Sequence, residues 1–157
     1  MQARIDLIQT TPGIIHAMLG IERQVQKAGL DNRLLDLVRM RASQINGCAY
    51  CLDMHSKDAR AHGETEQRLY GLSAWREAPY YSARERAALE WTEALTLVAD
   101  TDVSDEIYNR VRAQFGEAEL AHLTLAVVSI NGWNRLNIAV RTVPGEYAAG
   151  TLEQATA

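Results

Sequence analysis

Strand signals are nearly missing from this chain. No run of β-branched residues alternates with polar ones between turn pairs, which argues against a β-sandwich or barrel; apolar residues recur instead at helical spacing. Blocks of basic residues are lacking too. With 16 lysines and arginines against 20 acids, scattered along the chain to a formal net charge of -4, there is no electrostatic footprint for nucleic acid. Nor is there an uninterrupted apolar run of the roughly 18 residues a membrane span needs. The opening "MQARIDLIQTTPG" has neither an apolar core nor a small-residue cleavage pattern. The expectation is a soluble, cytoplasmic protein with no nucleic-acid or membrane partner. Cysteine is scarce, with only 2 residues, too few for a disulfide framework. In a reducing compartment a bond between two such thiols persists only where opening and closing it is the function.

What is present reads as all-α. At 157 residues and 47% apolar content the chain is one domain long and able to build a core unaided. The domain is taken as 1–157, with a core over about 12–144 and a tail over 145–157. The pattern predicts about six to eight helices. The first opens at Thr11 with Pro12 in its first turn and stops at Gly29. The second starts after Asp31 or Asn32, with Leu34, Leu35, Val38, Ala42 and Ile45 on one face. Asn46-Gly47 then punctuates the chain, a third helix runs from near Cys48 to Gly63, and a short one fills "ETEQRLYGL". Ser82 and Glu85 have capping-box spacing at the head of the next long helix. A helix from Ser104 to about Phe115 and a long one ending before Pro144 complete the core, followed by a weakly ordered tail or packing arm. "SQINGCAYCL" at 43–52 echoes "VSINGWNRLN" at 128–137, which raises a duplicated helical hairpin as one possibility.

Reactive side chains concentrate in "NGCAYCLDMH". On a helix Cys48, Cys51 and His55 share a face, and Cys51 and His55 are one turn apart. Two cysteines three apart have Cα atoms about 5 to 6 Å from each other, inside the range a disulfide tolerates. Unpaired N–H groups at a helix start favour thiolate over thiol, and a nearby imidazole can take the proton. A nucleophile, a base and a resolving thiol are therefore supplied within eight residues, which suits sulfenic acid formation followed by disulfide closure and requires no metal and no cofactor. The rival readings are two structural thiols, or zinc held by Cys48, Cys51, His55 and His62. One helix cannot wrap those four around an ion tetrahedrally, and no second cysteine pair closes the site. His16 and His122 read as packed or surface histidines, and Tyr50 as packing or as a group shaping access. Arg39 and Arg41 read as partners for local acids.

"RASQINGCAYCLDMHSKDAR", with "LLDLVRMRASQINGC", "ERAALEWTEALT" and "INGWNRLNIAVR" in the same order, resembles the AhpD-like alkylhydroperoxidases, the cysteine-bearing branch of the carboxymuconolactone decarboxylase superfamily. The resemblance covers most of Leu34 to Arg141. It implies an all-helical, homo-oligomeric protein, a trimer or hexamer, that reduces a hydroperoxide and is restored by an external dithiol or protein thiol. By position it makes Cys51 the peroxide-attacking cysteine, Cys48 the resolving one and His55 the proton-relay histidine. Exposure at the helix tip argues instead for Cys48 as the attacker. Asp36 stands where the family places a relay glutamate, one methylene shorter; on the helical wheel it lies opposite the apolar stripe, so a solvated surface aspartate is the other reading. Glu90 and Glu93 are alternative carboxylates. Two further functions stay open at this point: lactone decarboxylation, as in the other branch of the superfamily, and a redox-sensing module without turnover.

Overall fold

The computed structural model describes residues 2–156, and every regular element among them is helical. In chain order these are α1 (Leu7–Thr10), α2 (Pro12–Lys27), α3 (Asn32–Asn46), α4 (Ala49–Ala61) and α5 (Glu66–Tyr70), the last running into a 3-10 turn over Gly71–Ala74. Then come α6 (Ala83–Thr96), α7 (Val98–Thr101), α8 (Asp105–Arg112), α9 (Glu117–Val140) and α10 (Thr151–Thr156). Local chemistry sets most of the starts. Pro12 occupies the first turn of α2, Asp31 caps α3 by accepting from the Arg33 amide, and Ser82 with Glu85 forms the reciprocal capping box of α6. Each such cap satisfies amides that a helix start otherwise leaves orphaned. Helix α9 stops at Val140, a turn before Pro144, because Arg141 turns left-handed at φ 56°.

Helix α3 is the centre of the molecule and packs on α4, α6 and α9. Leu34, Leu35, Asp36, Leu37 and Val38 are all buried, so this helix has no solvent face along that stretch. One core gathers Val25, Leu35, Val38, Trp91, Phe115 and Leu123 from α2, α3, α6, α9 and the turn between α8 and α9. A second packs Leu37 and Met40 against Leu72, Trp75 and Leu89. No helix of the described residues is long and apolar enough to cross a membrane.

Both ends of the chain are tied down. The Arg4 amide donates to the Val140 carbonyl at 2.8 Å, which lays the segment before α1 across the end of α9. At the other end the tail is a strap along α4. The Tyr147 hydroxyl donates to the Asp58 carboxylate at 3.0 and 3.1 Å, the Gly150 amide donates to Asp58 Oδ1 at 2.9 Å, and the Gly145 amide to Asp53 Oδ2 at 3.0 Å.

Candidate active site

The site is built where α3 breaks into α4. Gly47 adopts φ +69°, a left-handed conformation glycine reaches without a Cβ penalty, and the following Cys48 amide closes α3 by donating to the Ser43 carbonyl at 3.1 Å. Cys48 is also the N-cap of α4, its sulfur accepting from the Cys51 amide at 3.4 Å. Both thiols are free and buried, and their sulfur atoms lie 2.7 Å apart. Disulfide closure therefore needs less than about 1 Å of approach. The pair shares its protons unequally. The hydrogen bond from Cys51, helped by the capping amide, pulls the Cys48 thiol down to about 7, while donating that bond and its own burial push the Cys51 thiol up. Near neutrality the pair therefore holds one proton and one negative charge, drawn first to Cys48.

Two asparagines of α9, Asn134 and Asn137, act on this pair, and a third, Asn131, holds Asn46 beside it. Asn134, fully buried, donates to Ser43 Oγ at 3.0 Å, and its Oδ1 accepts from Asn46 Nδ2 at 2.8 Å; Asn46 also reaches Asn131 Oδ1 at 3.0 Å. Asn137 Nδ2 points at Cys51 Sγ from 3.6 Å. Next to them Trp133 Nε1 donates at 3.2 Å to Glu22 Oε1, a buried carboxylate that also accepts from Ser129 Oγ at 2.6 Å and from Arg39 at 2.9 Å. Sequence reasoning singled out none of Glu22, Asn134 or Asn137. A signal was there, since Asn131, Asn134 and Asn137 recur every three residues in the second half of a largely apolar helix.

His55 lies one turn beyond Cys51, buried, with its Nδ1 unpaired. Burial, with the Arg39 guanidinium, holds it well below its ordinary 6.5, so it is neutral at pH 7. Asp36 is not a solvated aspartate: it is 1% exposed, because α4 covers the side of α3 opposite the apolar stripe. Its Oδ2 is bonded to His62 Nδ1 at 2.6 Å and its Oδ1 has no partner. Burial raises its pKa and His62 opposes the rise. The structure thus brings Asp36 to His62, the histidine at the far end of α4, and leaves an unpaired polar atom on each of Asp36 and His55. The alternative carboxylates are occupied elsewhere. Glu93 accepts from Arg41, Trp75 and Arg76, and Glu90 from Arg110, on a helix that packs chiefly on α3, α8 and α9. Arg39 and Arg41 therefore do pair with acids, but with acids 17 and 52 residues away. Among the described residues no cluster of three or more histidine, cysteine or acidic side chains is arranged to hold a metal ion.

A cavity of about 390 Å³ opens over Cys51, walled by Ile5, Leu7 and Ile8 from the N-terminal segment, by Ile15 of α2, and by Met54 and Trp133. A smaller hollow of about 220 Å³ reaches Cys48 past Ala49, Arg141 and Pro144. Asn137 lines both.

An all-helical frame that presents a paired thiol at a helix start, beneath an apolar cavity, defines a class of small dithiol proteins. Residues 12–94, over half the chain, match the carboxymuconolactone decarboxylase family, and the chain belongs to it. The uncharacterized protein YdfG of Bacillus subtilis (strain 168) is 41% identical over 140 residues, 89% of this chain and 95% of its own length. A crystal structure from Agrobacterium tumefaciens, of a protein of unknown function provisionally assigned as the antioxidant defence protein AhpD, has a TM-score of 0.89 at 38% identity and covers 93% of this chain and 100% of that one. The debrominase Bmp8 shares the fold, with a TM-score of 0.75 at 18% identity over 95% of this chain and 77% of its own.

Proposed function

We propose that this protein is a thiol-dependent peroxidase of the AhpD kind. The observation that carries the reading is the pair of free sulfurs 2.7 Å apart beneath an apolar cavity, with neutral His55 one turn on. The Cys51 thiolate attacks the terminal oxygen of a hydroperoxide, the O–O bond breaks, and Cys51 becomes a sulfenic acid while the alkoxide leaves as the alcohol. The one proton of the pair moves from Cys51 to Cys48, and neutral His55 relays a proton from water to the alkoxide; a buried imidazolium is costly, so it does not keep the proton. The Cys48 sulfur then attacks the sulfenic sulfur, closing the disulfide and releasing water. An external dithiol or protein thiol reopens the disulfide by exchange and is itself oxidised. Asp36, bonded to His62, ties α3 to the end of α4 as a positioning residue. Bmp8 shares the fold alone, so its debromination is not carried over. The proposal includes a homo-oligomer, a trimer or hexamer, which the exposed Ile5, Ile8 and Val143 at the cavity rim favour and light scattering checks.

The test is a titration of reduced protein with one equivalent of organic hydroperoxide. Both thiols are expected to disappear in the native protein, Cys48→Ser to accumulate a trappable sulfenic acid on Cys51, and Cys51→Ser to leave the peroxide unconsumed. Native thiols that stay reduced under excess peroxide would end the proposal.

A further inference from the structure

We propose that Asn137 stabilises negative charge on Cys51 against the pull of the helix cap on Cys48, and so lets Cys51 act as the attacking thiol. Only the word attacking rests on the peroxidase reading; the division of charge does not. Two sulfurs near neutrality share one proton, and the helix cap draws the charge to Cys48, through the Cys51 amide at 3.4 Å. With that alone, Cys51, the sulfur under the larger cavity, would stay protonated and unreactive.

Asn137 supplies the opposing pull, and its orientation is fully determined. The Trp133 carbonyl, 3.0 Å away, can only accept, so the amide nitrogen must face it, and Oδ1 accepts from the Thr142 hydroxyl at 2.7 Å on the other side. Of the two Nδ2 hydrogens, one goes to the Trp133 carbonyl at 3.0 Å and the other to Cys51 Sγ at 3.6 Å. Turned over, the amide would set Oδ1 against the Trp133 carbonyl, so it cannot turn from the sulfur without losing that bond. When a proton passes from Cys51 Sγ to Cys48 Sγ across the 2.7 Å gap, the charge arrives on a sulfur that already has a donor aimed at it. Asn134 does not discriminate, since it favours the thiolate form of both cysteines, whereas Asn137 acts on Cys51 alone. The other titratable or charged groups around the pair are Tyr50 and His55 on α4, Glu22 of α2 behind Trp133, Asp6 at the cavity edge, Arg39 near His55, and Arg141 beside the Cys48 hollow. None of them changes in the test.

The experiment measures thiolate formation by pH-dependent alkylation, with no peroxide present. In a Cys48→Ser background, Asn137→Leu is expected to raise the Cys51 midpoint by about one pH unit and slow alkylation at pH 7 roughly tenfold, the size of one charge-assisted hydrogen bond. Asn137→Asp keeps the shape and the Thr142 partner but replaces the donor with a carboxylate, and is expected to raise the midpoint further. In a Cys51→Ser background, Asn137→Leu is expected to leave the Cys48 midpoint in place. In the two-thiol protein, the share of one equivalent of alkylating agent that labels Cys51 is expected to fall in Asn137→Leu relative to the native chain. A Cys51 midpoint unmoved by either substitution, or a Cys48 midpoint that moves as far, overturns the proposal. Because no step here uses peroxide, a native protein inert to hydroperoxide but normal in these titrations would count against the peroxidase reading alone.

Discussion

Ile45-Asn46-Gly47-Cys48 and Ile130-Asn131-Gly132-Trp133 share three residues and touch through Asn46 and Asn131, yet one breaks a helix and the other runs through one. Gly47 is left-handed and ends α3; Gly132 lies inside α9, where a Cβ would come 3.1 Å from Met18 Cε. The echo is therefore not a duplicated hairpin. Glycine permits a break without imposing one, and the residues around it decide. After Gly47 comes a cysteine whose sulfur caps a new helix; after Gly132 comes a tryptophan whose indole is held by Glu22, and whose helix is already packed along α2 and α3.

The largest change expected from breaking this pairing is Asn134→Leu, which leaves the buried Ser43 hydroxyl without its partner and removes one of the two bonds of Asn46. A loss of about 2 to 3 kcal/mol is expected in denaturant unfolding. A result near zero would mean that the two segments are not held together by their amides. Gly47→Ala comes next: a left-handed Cβ residue is expected to cost about 1 to 2 kcal/mol and to loosen the thiol pair with it. The break also creates α4, where His55 is buried neutral below its usual 6.5. Below about pH 6.5 the unfolded chain binds a proton that the folded chain does not, so stability falls with pH by up to about 1.4 kcal/mol per unit. Calorimetry from pH 7.5 to 5.5 should show this fall in the native protein and a smaller one in His55→Gln. The smallest effect belongs to the unbroken copy. Gly132→Ala meets only the mobile end of Met18 and gains helix propensity, for an expected stabilisation of roughly 0.5 kcal/mol. A loss larger than that of Gly47→Ala would reverse the comparison.

Several features were legible from residues alone because they are local. The all-α class, the Pro12 start, the Ser82–Glu85 box and the stop at Gly47 all depend on groups within a few positions of each other. The wheel of α3 misled at Asp36 because a wheel assumes a solvent side, and a helix packed on three others has none there. The N-terminal segment, placed before the first expected helix, supplies much of the cavity wall because it returns to the end of α9.

By itself the sequence determined that two thiols and an imidazole share one face of a helix opened by Cys48, since spacings of three and four residues mean the same thing in any α-helix. Which sulfur lies beneath the cavity, which histidine holds Asp36, and which asparagine meets Cys51 were decided only in three dimensions. Those contacts join α3 to the end of α4, and α4 to α9 or to the N-terminal segment, across 26 residues for Asp36 and His62 and 86 for Cys51 and Asn137. No periodicity within one helix encodes them, because they arise from how its faces are covered by others.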